Sequence, residues 1–122
     1  MPSEVIERCR SIEGATVGEG AFAEGPAVWV GRREVAHIDA DGAVDIRLTK
    51  QQIRRRRAEL EADTRISLHS SSSDWLEVRV ASDIDADFAV ALISEAVAAN
   101  LPTAPPGNPL TGSELERRRR FH

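Results

Sequence analysis

The amino-acid sequence predicts an α+β domain: an antiparallel sheet from two main hairpins with three helices packed on one face, in the order α-β-β-β-α-β-β-α. Three observations predict it. Residues 34–48 and 65–80 each alternate apolar and polar side chains on both sides of a turn, which is the mark of a half-buried hairpin. The segments beginning at Ser3, Thr49 and Ser82 instead repeat their apolar residues at helical spacing behind a capping residue. Composition agrees, with 41% apolar and 30% charged residues, no Tyr and 4% aromatic residues among 122. Such a chain is long enough for one domain with an aliphatic core.

The first helix is expected over Ser3–Ile12, with Val5, Cys9 and Ile12 on its buried side. Cys9 is the single cysteine, so it has no internal disulfide partner, and its place on that stripe reads as a small buried hydrophobe. Gly14, Gly18, Gly20 and Gly25 then suggest an irregular approach to a first long strand, Ala27–Gly31. Gly18-Glu19-Gly20 has neither the spacing of a dinucleotide fingerprint nor the Gly-Lys-Ser/Thr of a phosphate loop.

The stretch Glu34–Leu48 is the most informative. Asp39-Ala40-Asp41-Gly42 fits a type I turn closed by a left-handed Gly, which pairs Asp39 with Ala43 and sets His37 opposite Asp45. Ala36, Ile38, Val44, Ile46 and Leu48 then share one face, and His37, Asp39, Asp45 and Arg47 the other. A two-residue Asp41-Gly42 loop is the alternative, and it mixes the two sets. Thr49 and Gln52 have capping-box spacing, and Leu48 with Ile53 stands at the positions of a hydrophobic staple, so a second helix is expected from Thr49 to about Ala62.

In the second hairpin, Arg65–His69 and Trp75–Val80 flank Ser70–Asp74. Ile66, Leu68, Leu76, Val78 and Val80 are expected inside, with His69, Trp75, Glu77 and Arg79 on the polar side. The four serines read as a polar loop. A last helix is capped by Ser82 or Asp83 and continues to about Asn100, with Ile84, Phe88, Leu92 and Ala99 as its buried stripe. Val90, Ile93 and Val97 form a second stripe, which suggests a homodimer through this helix; the alternative is cover by helix one or the tail. The domain is expected to occupy residues 1–101. Residues 102–122 read as a flexible tail, rich in Pro and then in Arg.

Net charge is −4; Arg117–Arg120 against Glu114 and Glu116 give the tail a surplus of +2, which leaves −6 on residues 1–101. An acidic body argues against broad phosphate-backbone binding. No apolar run reaches membrane length and the start has no apolar h-region, so a cytoplasmic protein with no membrane partner is expected.

His37, Asp39, Asp45, Arg47, His69, Trp75, Glu77 and Arg79 together make the candidate ligand-binding face, provided that both hairpins join one sheet. An imidazole opposite a carboxylate gains basicity, while Arg and Trp suit an anionic or planar ligand. Cross-strand pairs also stabilise a solvated sheet by about 0.2–1 kcal/mol each, which is a structural reason for the same residues. The favoured reading is a noncatalytic module that binds a small ligand or a protein. The alternative is nucleic-acid binding through Arg54–Arg57, Arg117–Arg120 and exposed Trp, with a small enzyme built on the His37–Asp45 pair third. No cofactor is expected. A metal on His37, Asp39 and His69 fits no closed zinc spacing, so no metal is expected either.

Gly25–Ile38, the Asp41-Gly42 and Asp45–Leu48 that follow, and Ser72–Val78 are similar to a small family catalogued as a luciferase domain, with the likeness running over roughly residues 14–100. The chain is far too short for a flavin-dependent barrel luciferase. What the resemblance implies is a shared module without an assigned biochemical role, and it transfers no catalytic residue. In order of elements alone the chain also resembles the double-wing MmcQ/YjbR-like proteins.

Overall fold

A computed structural model describes residues 2–21, 25–39, 42–70 and 72–102. Six antiparallel strands make one sheet: β1 (Thr16–Glu19), β2 (Pro26–Val30), β3 (Arg33–Ile38), β4 (Val44–Arg47), β5 (Ile66–Leu68) and β6 (Trp75–Val78), in the order β1-β2-β3-β4-β6-β5. Four helices accompany them: α1 (Pro2–Arg8), α2 (Lys50–Arg55), α3 (Arg57–Glu61) and α4 (Asp83–Asn100). The class is α+β. Val28, Ala36, Val44, Ile46, Leu76 and Val78 of the sheet bury against a cluster that includes Val5, Ile6 and Cys9 of α1 and Leu92, Ile93 and Val97 of α4.

The central hairpin has the three-residue turn. Asp39 N–H donates to the Ala43 carbonyl at 2.8 Å and Gly42 stands at φ 88°, so Ile38 pairs with Val44, His37 with Asp45 and Ala36 with Ile46. β4 then pairs with β6, which sets Asp45 beside Glu77 and Arg47 beside Trp75 and carries the polar rows across both hairpins. Leu48 and Ile53 are buried together around Thr49, whose Oγ1 accepts from Gln52 N–H at 3.3 Å as the cap of α2.

Four expectations need correction. The Gly-rich stretch after helix one contains a strand: β1 pairs with β2, and the Trp29 indole lies over Gly18 and donates to the Glu19 carbonyl at 3.0 Å. An aromatic ring over an edge glycine covers backbone that glycine leaves bare. Helix one begins at Pro2, where a fixed φ suits the first helical position, so Ser3 lies inside it; past Arg8 it tightens into a 3-10 turn, Cys9–Ser11. The second helix breaks at Arg56 (φ −112°, ψ 19°), where the guanidinium pairs with Glu59 and with Glu95 of α4, while Ile53 and Leu60 still reach the core.

The fourth correction concerns α4. Its buried side is Ala86, Ala89, Leu92, Ile93, Ala96, Val97 and Asn100, while Ile84 is 73% exposed. Of the expected stripe, Leu92 is buried while Ile84 and Ala99 are exposed; Ala86, Ala89 and Ala96 bury beside Ile93 and Val97, and small alanines let the helix approach its neighbours closely. Phe88, as expected, packs partly buried against the core, with the Arg65 guanidinium 3.8 Å from its ring centroid. Ile93 and Val97 are thus covered by the chain's own core, α1 included. The free apolar stripe from which a homodimer was expected is absent among the described residues. The proposed tail falls outside the described residues beyond Pro102.

Candidate functional site

The polar rows converge on a cleft at one end of the sheet, where β3 begins, β4 ends and β6 begins. It is open to solvent and has a volume of about 1260 Å³. His37, Asp45, Arg47, His69 and Trp75 line it. One lip is the two-residue turn Gly31-Arg32 between β2 and β3, in which Gly31 has φ 61°, the positive value that the first position of a type II′ turn demands. Ala99 and Asn100 at the end of α4, with Leu101 and Pro102 after it, form the opposite wall.

Within the cleft, the His37 and Trp75 rings lie 5.2 Å apart between centroids at an interplanar angle of 47°, and the Arg47 guanidinium sits 5.8 Å from the Trp75 centroid. Arg47 also pairs with Asp74 at 3.2 Å. Asp74 holds the corner itself, since its side chain accepts from Lys50 N–H at 2.9 Å and its carbonyl from Thr49 N–H at 2.9 Å. Ser73 Oγ accepts from Trp75 N–H at 3.0 Å and fixes the start of β6.

Glu34 was not among the residues singled out by sequence. A bulge brings it in. Trp29 pairs with Glu34 but Val28 pairs with Ala36, so β3 carries one extra residue, Val35, and alternation shifts by one there. Strict alternation would place Glu34 beside Ala36 and Ile38 on the apolar face; the bulge moves it to the face of His37. Its side chain is only 2% exposed, with Oε1 accepting from Ala21 N–H at 3.4 Å. Oε2 lies 3.4 Å from His37 Nδ1, near enough for an ion pair but not aligned as a hydrogen bond. His37 Nε2 lies 3.0 Å from Asp45 Oδ2. The imidazole therefore stands between two carboxylates. Its pKa is raised above the usual 6.5, first by the hydrogen bond to Asp45 and then by the negative charges of Asp45, Glu34 and Asp39, against a desolvation penalty that lowers it.

Asn100 is the other residue that sequence reading passed over. It is buried, and its Nδ2 donates to the Arg47 carbonyl at 2.9 Å and to the Ala96 carbonyl at 2.7 Å, while Oδ1 accepts from Arg33 at 3.4 Å. A helix end thereby fastens the strand that presents Arg47.

The remaining candidates lie elsewhere. Asp39 serves its turn, accepting from Ala43 N–H at 3.0 Å. Glu77 and Arg79 line a separate hollow of about 250 Å³ with Arg65 and Ser67, and Arg79 donates to the Thr64 carbonyl at 3.2 Å. Asp39, Asp45 and Glu77 bring carboxylate oxygens within 4.8 Å of one another, whereas His37, Asp39 and His69 form no such group among the described residues. In the Arg54–Arg57 run, Arg57 pairs with Glu61 at 2.8 Å and Arg56 with Glu59 at 3.0 Å. Arg117–Arg120 lie outside the described residues. Burial pushes the Cys9 thiol up to about 11 and its Sγ donates to the Val5 carbonyl at 3.2 Å, so it is no ready thiolate. No helix among the described residues is long and apolar enough to cross a membrane.

A luciferase-domain family model matches residues 32–96, from the lip of the cleft through most of α4, and the chain belongs to that family. Comparison with curated proteins gives no match, and comparison with solved structures gives none. The architectural likeness to MmcQ/YjbR-like proteins therefore gains no support from a solved relative.

Proposed function

We propose that this chain is a noncatalytic module that binds a small ligand in the cleft at the strand ends. One observation carries the reading. Among the described residues, the buried side-chain atoms without a hydrogen-bond partner are Glu34 Oε2, His37 Nδ1 and Arg47 Nε; the first two face each other at 3.4 Å, which leaves Arg47 Nε, at the cleft, as the unpaired group. Leaving such a group unpaired costs about 1–3 kcal/mol, and folded proteins seldom do so without a functional reason. A ligand seated on Trp75 that draws the Arg47 guanidinium outward gives Nε a partner.

The noncatalytic part of the reading is supported by how His37 and Ser73 are engaged. Both ring nitrogens of His37 face protein carboxylates, and Ser73 Oγ is engaged by the Trp75 backbone, so neither is poised as a base or nucleophile toward a substrate. Nucleic-acid binding gains little from the Arg54–Arg57 run, half of which is spent in ion pairs with Glu59, Glu61 and Glu95. The test is an NMR screen of a small-molecule library that follows the Trp75 indole N–H and the His37 ring. Saturable shifts there that disappear in Arg47→Gln support the reading. Tight, steeply salt-dependent binding of DNA or RNA with no small molecule reaching the cleft overturns it.

A further inference from the structure

We infer that the cleft's ligand is a planar aromatic anion, its ring against Trp75 and His37 and its acidic group between Arg32 and Arg47; this rests on the cleft being the binding site. The ring position follows from the tilted His37–Trp75 pair, 5.2 Å between centroids, which leaves an aromatic corner beside the apolar wall of Leu101 and Pro102. Aromatic faces of this kind favour another ring over a chain of equal area.

The sign of the charge follows from which charged groups in the cleft are already committed. Its two carboxylates, Glu34 and Asp45, both face the His37 ring, and Glu34 is out of reach of solvent. An ammonium ligand would find no carboxylate to spare. The cations are less committed. Arg47 gives Nη2 to Asp74 and keeps Nε unpaired. Arg33 is turned to Asn100 at the end of α4, where a cation also suits the negative end of the helix. Exposed Arg32, beside it on the lip, has no ion pair or hydrogen bond with any described residue. A guanidinium presents a fork of donors that matches a carboxylate or phosphate. The open cleft, of about 1260 Å³, has room for a ring and its acidic group together.

The experiment titrates the full chain with naphthoate, its neutral amide naphthamide, naphthylmethylamine and cyclohexanecarboxylate, by calorimetry and by the Trp75 indole N–H shift. Naphthoate is expected to bind and to move Trp75, with naphthamide weaker by about tenfold or more, since a hydrogen bond to a charged group carries that much. Arg32→Gln should weaken naphthoate by about tenfold and naphthamide by much less, while Arg47→Gln, which also disturbs the Trp75 platform, should weaken both and naphthoate the more. Because Arg32 is exposed on a turn, its variant keeps the fold intact if Arg47→Gln does not. Equal or tighter binding of the amide or the amine at Trp75 overturns the anion and leaves the cleft reading standing. Equal binding of cyclohexanecarboxylate overturns the aromatic part. Absence of naphthoate binding overturns the inference outright, and the library screen then judges the cleft by itself.

Discussion

His37 Nε2 lies 3.0 Å from Asp45 Oδ2 across the ladder between β3 and β4. This contact favours the imidazolium, so the folded chain holds the proton more tightly than an unfolded one does. A pKa raised by folding gives stability that is fully present below the usual 6.5 and is lost as pH rises through the raised value. Thermal melting from mildly acid to mildly alkaline pH should therefore show wild type losing stability over that interval. His37→Gln should flatten the profile, and Asp45→Asn should bring the His37 ring titration back down in NMR. A His37 titration unchanged in Asp45→Asn would refute the pairing.

Thr49 is the only described residue other than glycine with positive φ, at 86° with ψ 145°. That region suits glycine and strains others by about 1–3 kcal/mol. Thr49 is retained there as the cap of α2, a role in which glycine is only a few tenths of a kcal/mol poorer but alanine about 1 kcal/mol poorer. Thr49→Ala keeps the strain and loses the cap. Thr49→Gly removes the strain, at a cost of about 0.5–1 kcal/mol in unfolded-chain entropy. Denaturant unfolding should rank the glycine variant above the alanine variant by about 1–2 kcal/mol; the reverse order would mean that Thr49 does not hold this backbone.

On α4, Ile93 is fully buried while Ile84 is 73% exposed. Ile93→Ala should cost about 2–5 kcal/mol by leaving a cavity, whereas Ile84→Ala should stay within about 0.5 kcal/mol. Light scattering alongside denaturation separates the sequence expectation from the structure. If Ile93→Glu gave a folded monomer from a dimeric wild type, the residue would be at an interface and not in the core.

Much of this arrangement is written in the sequence, and the exceptions have identifiable causes. The turn at Asp39 and Gly42 fixes the register, and the register fixes the rows that place His37 by Asp45 and Arg47 by Trp75. Period-two reading fails at Glu34, because the bulge at Val35 reverses the face and no local residue type announces it. β1 is not legible in the sequence because Gly18 has poor strand propensity, which Trp29 offsets from the neighbouring strand. On α4, Leu92 buries as its spacing predicts, whereas the burial of Ala86, Ala89 and Ala96 depends on close approach to neighbours that the helix's own spacing does not reveal. Asn100, sixty-seven residues from Arg33 and fifty-three from Arg47, enters the site through tertiary packing alone.

Asn100 couples the end of α4 to the cleft, and its removal should be felt in both. In Asn100→Ala the Arg47 carbonyl loses the donor at 2.9 Å, and a buried acceptor left unpaired costs about 1–3 kcal/mol. The Ala96 carbonyl loses its extra donor at 2.7 Å and Arg33 its acceptor at 3.4 Å. Global stability should fall by that amount, while the effect on the cleft should be local: with Arg47 less firmly held over Trp75, the Trp75 indole environment changes and the Trp29 environment does not. Indole N–H resonances of the two tryptophans report this separately. An equal shift of both would mean that the substitution loosens the whole sheet, and an unmoved Trp75 would mean that Asn100 closes the helix without positioning the strand.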